Sequence, residues 1–129
     1  GEDLKVSSLP NLMVLYNPVL DTTKKGYGAK RFKPEQQTDL SLTHQVKKGI
    51  VPTLVFHGTA DKTVPFENAE RFGKLMKKAG NECVVIPYEG KGHGFFNGPF
   101  FRPKSKGETY DQVMKQTEDF LKKHGFSAK

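Results

Sequence analysis

The sequence predicts an α/β fold: part of a doubly wound, mainly parallel sheet with three core strands and flanking helices. Two observations carry that expectation. Three short apolar runs, Leu12–Tyr16, Thr53–His57 and Cys83–Ile86, are continuous rather than alternating. Such runs suit strands buried on both faces of a parallel sheet. Amphipathic stretches with helical spacing follow the second and third runs, and strands alternating with helices imply βαβ crossovers and parallel pairing.

The first run, Leu12-Met13-Val14-Leu15-Tyr16, ends at the turn signal Asn17-Pro18. Residues 22–38 carry Lys24, Lys25, Lys30, Arg31 and Lys33 among Gly26, Gly28 and Pro34, without an apolar period. They read as a basic, mobile loop. A short helix is expected near Leu42–Lys48. The second run is rich in β-branched and aromatic residues and stops at Gly58. From Phe66 to Ala79, the residues Phe66, Ala69, Phe72, Leu75, Met76 and Ala79 recur three and four apart, with Lys74, Lys77 and Lys78 between them. Pro65 suits an early helical position and Gly80 the C′ position. The third run stops at Pro87. A last helix is expected over Glu108–His124, striped by Tyr110, Val113, Met114, Thr117, Phe120 and Leu121, with Gly125 as its stop. Both stripes read as core faces rather than cofactor contacts.

A chain of 129 residues with 35% hydrophobic and 27% charged residues suits one globular domain, residues 1–129. Internal repeats and dividing linkers are absent from the sequence. The formal charge of +7 is scattered over helix faces and loops rather than set in a stripe. With no aromatic-interleaved basic motif, nucleic acid is not expected as a partner. No signal-peptide pattern or apolar run of spanning length occurs, and no membrane partner is expected. Cys83 is the only cysteine; it cannot form an internal disulfide and reads as a small buried strand residue.

The chemistry gathers at two loops. Asp61 follows the second strand in His57-Gly58-Thr59-Ala60-Asp61, and His93 follows the third in Gly90-Lys91-Gly92-His93-Gly94. In open α/β sheets, sites form beyond the carboxyl ends of strands, so both side chains are delivered to one edge. Histidine can take a proton from an alcohol near neutral pH, and a carboxylate fixes its tautomer and stabilises the imidazolium. Helix capping is the plainer role open to Asp61, and an ordinary loop position the plainer one for His93. His57 reads as structural, His44 as a surface or loop residue, and His124 as a helix-end residue facing the dipole. The histidines lack compact ligand spacing, so neither a metal nor a cofactor is expected. Ser7, Ser8, Ser41, Ser105 and Ser127 all lack a Gly-x-Ser-x-Gly context.

The run Pro52-Thr53-Leu54-Val55-Phe56-His57-Gly58-Thr59-Ala60-Asp61, then Val64-Pro65, then Gly92-His93-Gly94-Phe95, resembles the C-terminal part of an α/β-hydrolase-fold esterase. The group it is similar to comprises acetyl-xylan, feruloyl and dienelactone-type hydrolases. The resemblance implies that Asp61 is the triad acid and His93 the triad base. Val64 and Phe95 become the expected substrate contacts, with Phe95, Phe96, Phe100 and Phe101 forming either an apolar wall or core. The nucleophile half is not in these residues, so the chain alone is expected to lack substantial esterase activity. The expected partners are the N-terminal hydrolase half or a second copy of the chain, with a small ester as substrate once completed. A non-catalytic α/β module associating through an exposed sheet edge is the alternative.

Overall fold

Three strands form one parallel sheet: β1 (Met13–Tyr16), β2 (Thr53–Gly58) and β3 (Cys83–Tyr88), in the order β1-β2-β3. The computed structural model describes residues 7–104 and 107–126, and Ser105 and Ser127 lie outside them. The register aligns Met13 with Thr53 and Thr53 with Cys83. β2 is buried along its whole length, whereas β1 is half-buried and β3 mixed. Burial on both faces therefore holds only for the central strand. β3 also runs through Pro87 to Tyr88 rather than stopping, which an outer strand tolerates because a missing N–H there costs no ladder bond on its free side.

Side chains alternate across β2, and a helix covers each face. Val55 points to the side of α2 (Phe66–Lys78), where it packs with Leu20, Ala69, Phe72, Met76 and Cys83. Leu54 and Phe56 point the other way, to Phe95 and to Val113 and Phe120 of α3 (Glu108–Lys123). The aromatic layer on that side is continuous: Phe56 stacks on Tyr16 at 5.4 Å and meets Tyr88 edge-on at 6.1 Å. The Tyr16 hydroxyl lies 2.9 Å from Thr117 Oγ1, which itself donates to the Val113 carbonyl. This tethers β1 to α3. Gly80 (φ +79°) and Gly125 (φ +82°) end the two helices in the left-handed conformation, where glycine pays no Cβ penalty.

The segment between β1 and β2 corrects the expectation of a loop over 22–38. It holds a 3-10 turn at Ala29–Arg31 and the short helix α1 (Pro34–Asp39). Pro34 starts α1 after an extended Lys33, and Gln36 reaches back to the Lys33 amide. The Gln37 side-chain Nε2 then donates to the Ala29 carbonyl at 3.0 Å. α1 buries no residue, so no apolar period marks it. A second 3-10 turn, Leu42–Gln45, stands where a short helix was expected. Leu20, fully buried, anchors the segment, and its carbonyl accepts from the Thr43 amide and hydroxyl, both at 2.8 Å. Asp21 pairs with Arg71 of α2.

Cys83 is 2% exposed, and burial pushes its thiol up to about 11. Since the thiolate is the reactive species, a thiol reagent at pH 8 should leave the native chain essentially unlabelled and react fully in denaturant. Native labelling at the rate of the denatured chain would contradict this burial.

Candidate active site

Both expected triad residues stand at the carboxyl edge of the sheet. After β2, Gly58 opens a turn in which Asp61 is buried, its side chain at 0% exposure. Asp61 Oδ1 accepts from the amides of Thr63 (2.8 Å) and Val64 (3.0 Å). Its Oδ2 is 2.9 Å from His93 Nδ1. Burial pushes the Asp61 carboxyl up, but the Val64 amide, the His93 ring and the Thr63 amide outweigh it. The net pKa is below the ordinary value, and the turn holds a carboxylate. A carboxylate only accepts, so His93 presents Nδ1–H to it. That leaves Nε2 as the available base on a side chain that is 45% exposed.

The two loops are locked together by backbone contacts. The Ala60 amide donates to the Lys91 carbonyl at 3.0 Å, and the Gly90 amide to Thr59 Oγ1 at 2.8 Å. Arg102 reaches the His93 carbonyl at 3.0 Å. A Cβ built on Gly58 would sit 2.2 Å from the Lys91 carbonyl oxygen, so only glycine lets the loops meet this closely. Gly58→Ala should therefore cost about 1–3 kcal/mol or more and separate His93 from Asp61. Thermal melting and the His93 ring resonances read the two effects; an unshifted His93 in a stable variant would contradict the close approach.

The expected substrate contacts are placed differently. Val64 is 1% exposed and Phe95 8%. Val64 serves the acid through its backbone, and Phe95 stacks on Tyr88 at 4.6 Å in the core. Gly94 (φ +75°) turns the chain inward there. Phe96 packs against Tyr16 at 5.2 Å. Phe100 and Phe101 remain exposed, at 88% and 74%. An open cavity of about 370 Å³ beside the loop is lined by Lys91, Phe95, Arg102 and Glu108, among others, but by neither Asp61 nor His93.

Sequence reasoning missed two contributors. The Asn17 side chain accepts the Gly58 amide at 3.0 Å and so ties the end of β1 to the acid turn; its positive φ of +44° is the conformation that Asn tolerates better than most residues. His57, read as structural, is 3.5 Å from Asp61 Oδ2. Among the described residues, no group of three or more His, Cys, Asp or Glu gathers as a metal site.

Residues 10–125 match the prolyl oligopeptidase family, peptidase S9. The chain belongs to the prolyl oligopeptidase family. Solved structures similar to this family member include Thermogutta terrifontis esterase 2, with a TM-score of 0.83 and 39% identity over 99% of this chain and 47% of that one. Among curated relatives, the acetylxylan esterase of Xylanibacter ruminicola is 25% identical over 88% of this chain and 25% of its own. A probable isoprenylcysteine alpha-carbonyl methylesterase of Arabidopsis thaliana is 29% identical over 61% of this chain and 17% of its own. This prolyl oligopeptidase family chain thus matches part of the α/β-hydrolase fold of esterases and spans less than half the length of these relatives.

Proposed function

We propose that this chain is the acid–base part of a serine carboxylic-ester hydrolase, completed by an upstream segment that carries the nucleophile and the oxyanion donors. His93 Nε2 takes the proton of the serine hydroxyl as its oxygen bonds to the ester carbonyl carbon. It then returns that proton to the departing alcohol oxygen. Water, deprotonated by the same nitrogen, then bonds to the acyl carbon; the serine–acyl bond breaks, the proton returns from Nε2 to the serine oxygen, and the acid leaves. Asp61 holds the ring in the Nδ1–H tautomer and stabilises the imidazolium that forms at each step. The observation that best supports this is the 2.9 Å contact from a half-exposed His93 to a buried, amide-bound Asp61.

The proposed substrates are short-chain esters. Thermogutta terrifontis esterase 2 has been solved with propionate and with butyrate bound, at 36% identity to this chain. The test is hydrolysis of p-nitrophenyl acetate and butyrate by the chain alone and by the chain joined to a nucleophile-bearing upstream half. Background rates for the first and turnover for the second are expected. Turnover by the chain alone that His93→Ala abolishes would overturn the division of labour.

A further inference from the structure

His57 sits near the end of β2 at 0% exposure, its ring 5.9 Å from that of Phe66. Nε2 is 2.9 Å from the Val64 carbonyl oxygen. A carbonyl only accepts, so Nε2 carries a proton. Among the described residues, Nδ1 is buried without a hydrogen-bond partner. A second proton there would be a buried donor with nothing to bind, which is costly. The ring is therefore the neutral Nε2–H tautomer. Its N–H edge also stands 3.5 Å from Asp61 Oδ2, the oxygen that His93 engages. That distance is too long for a hydrogen bond, but it brings the positive end of the N–H dipole towards the carboxylate.

These contacts close a ring of support around the acid. Asp61 Oδ1 accepts the Val64 amide, and the Val64 carbonyl accepts His57. The turn carrying Asp61 is thus tied to the rigid central strand from which it springs. A doubly protonated ring at this place would compete with His93 for Oδ2. An aliphatic side chain would leave the Val64 carbonyl unpaired.

On the triad reading above, we propose that His57 is a positioning residue for ester hydrolysis: a neutral imidazole that anchors the acid turn through Val64 and leaves the Asp61 carboxylate to His93. A histidine present only to fill the core would have no required tautomer, and a volume-matched apolar residue would replace it without loss of rate.

Two measurements test this. In the 129-residue chain, long-range ¹H–¹⁵N correlation at neutral pH should show His57 protonated on Nε2 alone and His93 on Nδ1. A His57 protonated on Nδ1 overturns the proposal without touching the triad. In the chain joined to its upstream half, His57→Phe removes the donor, and His57→Gln keeps an amide N–H of similar reach. His57→Phe should lower kcat about ten- to a hundredfold, since a displacement of about 1 Å in a catalytic group can cost about 10²-fold, with KM little changed. His57→Gln should recover most of the loss. Equal impairment of the two variants, or none in either, overturns the positioning role while a dead His93→Ala keeps the triad. An active His93→Ala overturns the triad reading instead. Should His57→Phe fail to fold, the tautomer and the rate of His57→Gln decide.

Discussion

In the completed enzyme, Asp61→Asn should lower kcat by about 10⁴, and His93→Ala should leave only the slow catalysis supplied by binding and the oxyanion site. The asparagine keeps the volume of the buried acid and can still meet the Thr63 and Val64 amides through its carbonyl. It cannot act as the anionic acceptor that holds His93 with Nδ1 protonated, so the base is turned the wrong way. The pH dependence sharpens the test. The folded pKa of Asp61 is depressed, so the carboxylate is present above the unfolded value of about 3.9 and is lost only as pH falls through the lower folded value. Its stabilising effect is therefore complete at working pH. The deficit of Asp61→Asn should therefore persist across about pH 7–8, above the ordinary titration ranges of both carboxylates and histidine. A deficit that disappears within that window would mean that Asp61 does not act as a standing carboxylate, and short-chain ester kinetics on the two variants measures it directly.

The parts of the site legible in the sequence are those that hang on strand ends. Asp61 and His93 each follow a continuous apolar run, and parallel pairing alone brings such loops to one edge. The strands and α2 were legible for a related reason: burial on a sheet or beneath a helix imposes a period. Where burial is slight the period vanishes, and α1, which buries nothing, left no trace beyond Pro34. The opposite failure occurs in α3. Tyr110 and Met114 belong to its apolar stripe, yet they are 37% and 43% exposed, because only the Val113, Thr117 and Phe120 side of the helix is buried. His57 and Asn17 were illegible as contributors because each acts through a backbone group, and a backbone amide or carbonyl has no signature in the sequence. Phe95 was open to either a wall or a core position because nothing in its neighbours announces that the turn at Gly94 folds it inward.

The two edges of the sheet differ in a way that predicts association. β3 carries Pro87 within its length and is flanked by Glu82 and Glu89, devices that blunt an edge against further pairing. β1 carries neither proline nor charge, being Met13-Val14-Leu15-Tyr16, and lies at the other end of the strand order. The amides of Met13 and Asn17 donate to the carbonyls of Pro52, just before β2, and Phe56 within it. By strand alternation, the amides of Val14 and Tyr16 point away from β2. We propose that a further strand, from the upstream half or from a second copy of the chain, pairs with this edge. The isolated chain should then associate with rising concentration in light scattering, and the Val14 and Tyr16 amides should be protected from exchange in the assembly. Joining the upstream half should abolish self-association by occupying the same edge. Val14→Pro removes an outward amide while sparing the ladder to β2, and should weaken association roughly tenfold or more, since an unpaired polar group left buried costs about 1–3 kcal/mol. A folded chain that stays monomeric at every concentration, with Val14 and Tyr16 amides exchanging as fast as those of exposed loops, would show that β1 is stable as a bare edge and that the proposed pairing does not occur.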